Sequence, residues 1–196
     1  MRTLLQRNFY ARSPLVVAEE LIGMTLVRRL RNRSTLEGVI VEAEAYGGKL
    51  DPASHAFRGK TPRNAVMFGK AGHAYVYFTY GFHNCLNFVT GIEGAASAVL
   101  IRALEPTRGV EKMSELRNTS IITNLASGPG KLCQALSIDR SLNGIDVTTI
   151  KSPIHVVDVG LKLAVSRSNR IGIRVAMEKR WRFYARSSPH VSKKSV

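Results

Sequence analysis

The sequence predicts an α+β protein, a single domain over residues 1–196 with a mixed, mainly antiparallel sheet and helices on its outside. Three observations lead there. Runs of β-branched and aromatic residues follow one another with few helical stretches between them, unlike the regular alternation of a parallel α/β fold. A chain of 196 residues with 44% hydrophobic and 22% charged residues has the composition of a globular domain large enough to bury one core. Its longest apolar runs are strand-sized, so no segment is expected to cross a bilayer.

From the N-terminus, residues 1–12 carry Arg2, Arg7 and Arg12 without a continuous apolar core, so they do not read as a signal peptide. Ser13-Pro14, followed by Leu15, Val16, Ala18, Leu21 and Ile22 and closed by Gly23, predicts a short helix. Ser13 is its expected cap, proline fits the first turn and glycine stops it. Residues 25–30 and 36–45 predict two strands joined by the polar turn 31–34. Residues 47–72 lack periodicity, and a loop of that length inside a compact domain is usually functional. Residues 74–80 and 84–90 predict a protruding hairpin about Gly81-Phe82-His83. Residues 97–104 read as a strand ended by Glu105-Pro106, and 110–117 and 130–137 as helices. Residues 153–159, 171–175 and 182–185 supply the last strands, and 187–196, rich in Ser, Lys and His, is expected to fray in part.

Charge narrows the partners. Lysine and arginine number 29 against 14 acids, a net charge of +15, which concentrates polyanions at the surface and speeds their capture. Nucleic acid is the leading partner and an anionic membrane the alternative, but no basic amphipathic helix favours the membrane. Cys85 and Cys133 cannot alone make a disulfide framework or a zinc cage; they read as buried free thiols in a reducing compartment. The histidines at 55, 73, 83, 155 and 190 lack ligand spacing, so no metal or other cofactor is expected. There is no Gly-x-Ser-x-Gly elbow and no zinc-deaminase signature.

Four segments carry possible chemistry. In Val41-Glu42-Ala43-Glu44-Ala45-Tyr46-Gly47-Gly48, strand alternation puts both carboxylates on one face, about 7 Å apart. That pattern fits a solvated sheet face, or a general base at the mouth of a flexible loop. In residues 74–82, Tyr75, Tyr77 and Thr79 share one face and Val76, Phe78 and Tyr80 the other. Strand aromatics are usually core, yet three tyrosines in six residues beside a glycine turn suit stacking on bases or wedging between them. Arg58 to Asn64 is either a phosphate-contacting segment, with Arg63 a candidate, or a solvated loop. Ser127-Gly128-Pro129-Gly130-Lys131-Leu132 fails as a nucleotide-binding loop, since Leu125 and Leu132 stand where glycine and a hydroxyl are needed; a DNA phosphate near Lys131 stays open.

Together, GVIVEAEAYGG, DPASHAFRGKTPRNAVMF, GHAYVYFTYGFHNCLN, VLIRALEP, SGPGKLCQALSI and RFYARSSP resemble the alkyladenine (3-methyladenine) DNA glycosylase family, in family order from about residue 14 to 190. The resemblance implies a formyltransferase C-terminal-domain-like fold and a monofunctional, hydrolytic glycosylase that leaves an abasic site. Its implied substrates are 3-methyladenine, 7-methylguanine, hypoxanthine and ethenoadenine flipped out of duplex DNA. It implies Glu44, not Glu42, as the base that deprotonates water, with Arg102 beside it. Tyr46 and Tyr77 would sandwich the base, His55 contact its edge, Asn87 crowd the exocyclic amine of guanine, and Tyr80 fill the vacated space in the duplex. Arg63 and Lys131 are expected on the DNA backbone. A compact bacterial-type monomer, cytoplasmic and nucleoid-associated, is the resulting expectation. Non-catalytic damage binding and RNA binding on the same fold are its alternatives.

Overall fold

The computed structural model describes residues 2–79, 81 and 83–192. A nine-stranded sheet forms the frame, and every strand pairing among the described residues is antiparallel. Its strands are β1 (Thr3–Leu4), β2 (Thr25–Arg29), β3 (Thr35–Tyr46), β4 (Ala74–Thr79), β5 (His83–Thr90), β6 (Ser97–Arg108), β7 (Ile154–Asp158), β8 (Val165–Ser168) and β9 (Arg182–Ala185). The order is β1-β7-β2-β3-β6-β5-β4, with β9 added to β3 and β8 to β9. The helices are α1 (Arg7–Tyr10), α2 (Pro14–Glu20), α3 (Val110–Arg117) and α4 (Pro129–Ala135). Thus the α+β class and the mainly antiparallel sheet are as the sequence predicts.

β3 organises the rest. Residues 36–45 are all buried, because strands or packed elements cover both edges and both faces. One edge pairs with β6 along its length. The other pairs with β2 over residues 35–39 and with β9 over residues 42–44. The ladder to β6 is irregular at Ile40–Glu42 and Glu42–Ala43, where the second partner changes. Such irregularities bend a strand and re-aim its side chains; here that point is Glu42.

Two apolar clusters hold the sheet. The larger joins Val39, Val41, Ala43 and Ala45 of β3 to Leu21, Phe88, Ile101, Leu132 and many others. Here α2 packs on β3 and β6, and α4 on β5 and β6. The smaller cluster, Ala56, Met67, Tyr75, Val89, Ala96 and Ala98, seats the long loop on the sheet. Within that loop, 3-10 turns span Gly48–Leu50 and Ala65–Phe68, and Asn64 donates from Nδ2 to the carbonyls of His55 and Gly59 at 2.8 and 2.9 Å. Gly48 requires glycine: its φ is +65°, and a Cβ there would stand 2.2 Å from the Ala95 carbonyl oxygen.

The structure departs from the sequence reading in four places. Residues 171–175 form no strand, and the strand of that region is β8, Val165–Ser168. β6 runs on through Glu105-Pro106 to Arg108. Ser13 precedes α2 but its side chain makes no capping hydrogen bond. The short β1 and α1 have no counterpart in the predicted pattern.

Candidate active site

The site grows out of one row of the sheet. Directly opposed residues of an antiparallel pair send their side chains to the same face. The register opposes Tyr75 to Asn87, Asn87 to Leu100, and Leu100 to Glu44. These four side chains therefore leave one face across four strands, and Tyr77, Arg102 and Tyr46 join them two residues along. The long loop covers part of this face and leaves a cavity of about 600 Å³. Tyr46, His55, Tyr77, Asn87 and Arg102 all line it, together with the backbone segment from Ile171 to Val175.

Glu44 is fully buried. Its Oε2 accepts from the Tyr46 hydroxyl at 2.9 Å and from Arg102 Nη1 at 3.3 Å. Its Oε1 accepts from the Ile171 amide at 2.7 Å. All three donors belong to cavity-lining residues, so the carboxylate lies directly behind the wall. Burial pushes its carboxyl above the usual range, and the pull of Arg102, Ile171 and Tyr46 does not fully offset it; Glu42 adds to the rise. Burial and then Glu44 hold the Tyr46 phenol well above its ordinary value, so Tyr46 remains a donor.

Glu42, two residues back, is also fully buried but has a different environment. Its Oε1 accepts from Arg102 Nε at 3.0 Å, Arg182 Nε at 2.7 Å and the Ser192 hydroxyl at 2.8 Å. Its Oε2 accepts from the Ser192 amide at 2.6 Å. Burial opposes ionisation here too, but Arg102, Arg182 and Ser192 outweigh it and the carboxyl lies below the ordinary value. The solvated-face reading of this pair is thus overturned, because β9 and the backbone at Ser192 cover Glu42.

A second buried ion pair fixes the loop entrance. Arg170 donates to both oxygens of Asp51 at 2.5 and 2.8 Å and to the Ala45 carbonyl at 3.0 Å. Its guanidinium lies 4.7 Å from the centre of the Tyr46 ring and 5.1 Å from the Trp181 ring. The contact seats the Tyr46 ring and places the next residue, Ile171, where its amide meets Glu44.

On the other side, the His55 ring packs edge-on against Tyr77 with centroids 4.5 Å apart, and its Nδ1 lies 3.0 Å from the Tyr75 hydroxyl. Burial and the Arg63 guanidinium hold the imidazole below its ordinary value, which favours the neutral ring. Asn87 is buried and donates from Nδ2 to the Tyr75 carbonyl at 3.0 Å. Cys85 also lines the cavity; burial pushes its thiol up despite its hydrogen bond with Tyr77, so it is held as the thiol.

Two expected DNA-backbone residues have local partners. Arg63 is exposed, lies 5.4 Å over the Tyr77 ring and donates to the Phe78 carbonyl at 3.3 Å. Lys131 is half-buried and its ammonium meets Asn124 Oδ1. Tyr80, the expected wedge, lies outside the described residues. Among the described residues no group of three or more His, Cys, Asp or Glu side chains could hold a metal ion, and no helix is long and apolar enough to cross a membrane.

The sequence reading missed the Ile171 amide, the Asp51–Arg170 pair and the Arg182–Ser192 hold on Glu42. A backbone donor leaves no residue-type signal. The ion pairs join positions 119 and 140 residues apart, beyond any local pattern.

The family model described as methylpurine-DNA glycosylase matches residues 8–189. A protein of Carboxydothermus hydrogenoformans carrying the name 3-methyladenine DNA glycosylase is 50% identical over 97% of this chain and its own full length. Similarly named proteins of Methanocella arvoryzae and Prosthecochloris aestuarii are 50% and 45% identical, over 97% and 96% of this chain and 96% and 91% of their own.

Proposed function

The chain belongs to the methylpurine-DNA glycosylase family, and on that premise we propose that Glu44 activates the water that cuts a damaged purine from duplex DNA. The enzyme is a monofunctional DNA glycosylase of alkylated bases. The substrates in this reading are 3-methyladenine, 7-methylguanine, hypoxanthine and ethenoadenine, removed by a monomer in the cytoplasm at the nucleoid. One observation carries it: a buried carboxylate behind the wall of a cavity of about 600 Å³, whose three donors, Arg102, Tyr46 and Ile171, are themselves cavity-lining residues.

The chemistry follows from that placement. Flipping a base out of the stack costs a few kcal/mol, least where damage has weakened its pairing. In the cavity the base stacks on Tyr46 and Tyr77, whose electron-rich faces suit the positive charge of a 3-methyl or 7-methyl purine. His55 meets its edge, and Asn87 leaves no room for the exocyclic amine of guanine. Ionised Glu44 takes a proton from water while the water oxygen bonds to the sugar anomeric carbon. The carbon–nitrogen bond breaks, leaving an abasic site; its electron pair neutralises a cationic methylpurine, whereas neutral hypoxanthine or ethenoadenine takes a proton from solvent water as it leaves. Arg102 holds Glu44 ionised, and a carboxyl with a raised pKa is a stronger base once ionised.

The test is a duplex carrying one lesion, incubated with the protein and treated with alkali to cut abasic sites, repeated for each of the four lesions. Strand cleavage by the wild type and its loss in Glu44→Gln are expected. No cleavage with any lesion, or full activity of Glu44→Gln, contradicts the reading; lesion binding without base release would instead favour a non-catalytic module.

A further inference from the structure

Resting on the reading of Glu44 as the base, we propose that Glu42, clamped by Arg182 and Ser192, is a positioning residue that holds Arg102 by its Nε edge and apportions the arginine's charge between the two carboxylates.

The geometry is specific. Arg102 gives Nε to Glu42 at 3.0 Å, Nη1 to Glu44 at 3.3 Å and Nη2 to the Ser192 hydroxyl at 3.4 Å. A guanidinium is planar, so fixing one edge fixes where the others point. Glu42 and Ser192 take the Nε and Nη2 positions and leave Nη1 aimed at Glu44 and the cavity wall. Glu42 is itself anchored by two residues that do not line the cavity. Arg182 of β9 donates its Nε to Glu42 and its Nη1 to Ser168 Oγ at 2.8 Å, with its guanidinium 4.5 Å from the Tyr184 ring. Ser192 contributes both its amide and its hydroxyl. Arg182 and Ser192 do not line the cavity, so their effect on the reaction passes through Glu42 and Arg102.

The groups facing Glu44 come from three elements: Tyr46 and Glu42 on β3, Arg102 on β6, and Arg170 with the Ile171 amide on the segment after β8. Glu42 is the negative charge among them. It raises the cost of ionising Glu44 directly and by drawing on Arg102. Arg182 and Ser192 satisfy Glu42 from the far side and so release part of Arg102 to Glu44. Changes on the two sides of Glu42 must therefore move Glu44 in opposite directions.

The experiment titrates the side-chain carboxyl of Glu44 by carbon-13 NMR in the free protein and, in parallel, follows single-turnover excision against pH. Glu42→Gln removes the competing anion, and the Glu44 midpoint and the acid limb of excision should both fall by about one pH unit. Arg182→Gln leaves Glu42 with Arg102 as its cationic donor beside Ser192, so it draws harder on Arg102, and both should rise. Ser192→Ala, a change at a half-buried position, should raise both by a smaller amount. A role in stability alone would lower rates or melting temperature without moving either midpoint, and midpoints within 0.2 units of wild type, a threshold at about 0.3 kcal/mol, overturn the proposal. Shifts of one sign in all three variants overturn it as well. Should Arg182→Gln not fold, Glu42→Gln and Ser192→Ala still oppose each other. The NMR titration needs no turnover: an inactive wild type with opposed midpoint shifts would sink the assigned reaction and leave the positioning role standing.

Discussion

Two carboxylates leave the same face of β3 two residues apart, and both are wholly buried. At Glu42, two guanidiniums, an amide and a hydroxyl converge, and the carboxyl is held below its ordinary value. At Glu44 there is one guanidinium at longer range, one amide and one phenol, and burial prevails, so the carboxyl is raised. Both are inaccessible to solvent, but Glu44 is packed more deeply and has one cationic donor against two, so desolvation wins there and loses at Glu42. Glu42 is an anchor that stays ionised. Glu44 is a base whose raised carboxyl takes up a proton more readily than an ordinary glutamate.

The largest effect expected from this contrast is on turnover. Glu44→Gln should slow single-turnover excision by about 10²- to 10⁴-fold, the usual contribution of a positioned general base, while lesion-duplex affinity changes little. A Glu42→Gln enzyme as slow as Glu44→Gln would break the comparison.

Stability should rank the two residues the other way. Glu42→Ala removes the buried anion that Arg182 and Arg102 share, at a cost of about 3–5 kcal/mol in denaturant unfolding. Glu44→Gln removes a charge that the fold holds at a cost, and its unfolding free energy should match or exceed that of wild type.

The pH dependence separates them further. Glu42 has a lowered folded-state pKa, so its contribution is present above the ordinary value of 4.5 and is lost as pH falls through the lowered one. Glu44 has a raised one, so its contribution is fully present below 4.5 and is lost as pH rises through the raised value. Against pH, the wild type should therefore lose stability relative to Glu42→Gln on the acid side, and relative to Glu44→Gln on going toward neutral. Parallel curves for the two variants would contradict the assignment.

The smallest effect is expected at the rim. Arg63 is exposed and its guanidinium lies 5.4 Å over the Tyr77 ring, a contact worth about 0.5–1 kcal/mol. Arg63→Ala should weaken capture of a lesion duplex by about two- to five-fold and leave the excision rate at saturating enzyme unchanged. A loss above tenfold would place Arg63 in the machinery.

Much of this frame is legible in the sequence, for physical reasons that also explain the failures. β2, β3, the hairpin strands, β6 and β9 carry β-branched and aromatic runs whose pattern matches their burial. Ile171, Ile173 and Val175 alternate in the same way, yet among the described residues that segment pairs with no strand, and the Ile171 amide is already bonded to Glu44. β8, Val-Ser-Arg-Ser, pairs among the described residues with β9 alone and has no apolar run to announce it. The co-facial placement of Glu42 and Glu44 follows from strand alternation, but which of them is anchored depends on Arg182 and Ser192, far along the chain. Arg102 reaches Glu44 through the register of β3 with β6, and only the family resemblance pointed to it in advance.

The most direct test of Glu44 as a base poised by its surroundings is the rate–pH profile of single-turnover excision from a hypoxanthine duplex, for wild type and Glu44→Gln. The wild type should show an acid limb whose midpoint lies above the 4.5 of an ordinary glutamate, and Glu44→Gln a low rate without that limb. An unchanged rate and limb in Glu44→Gln would show that another group activates the water.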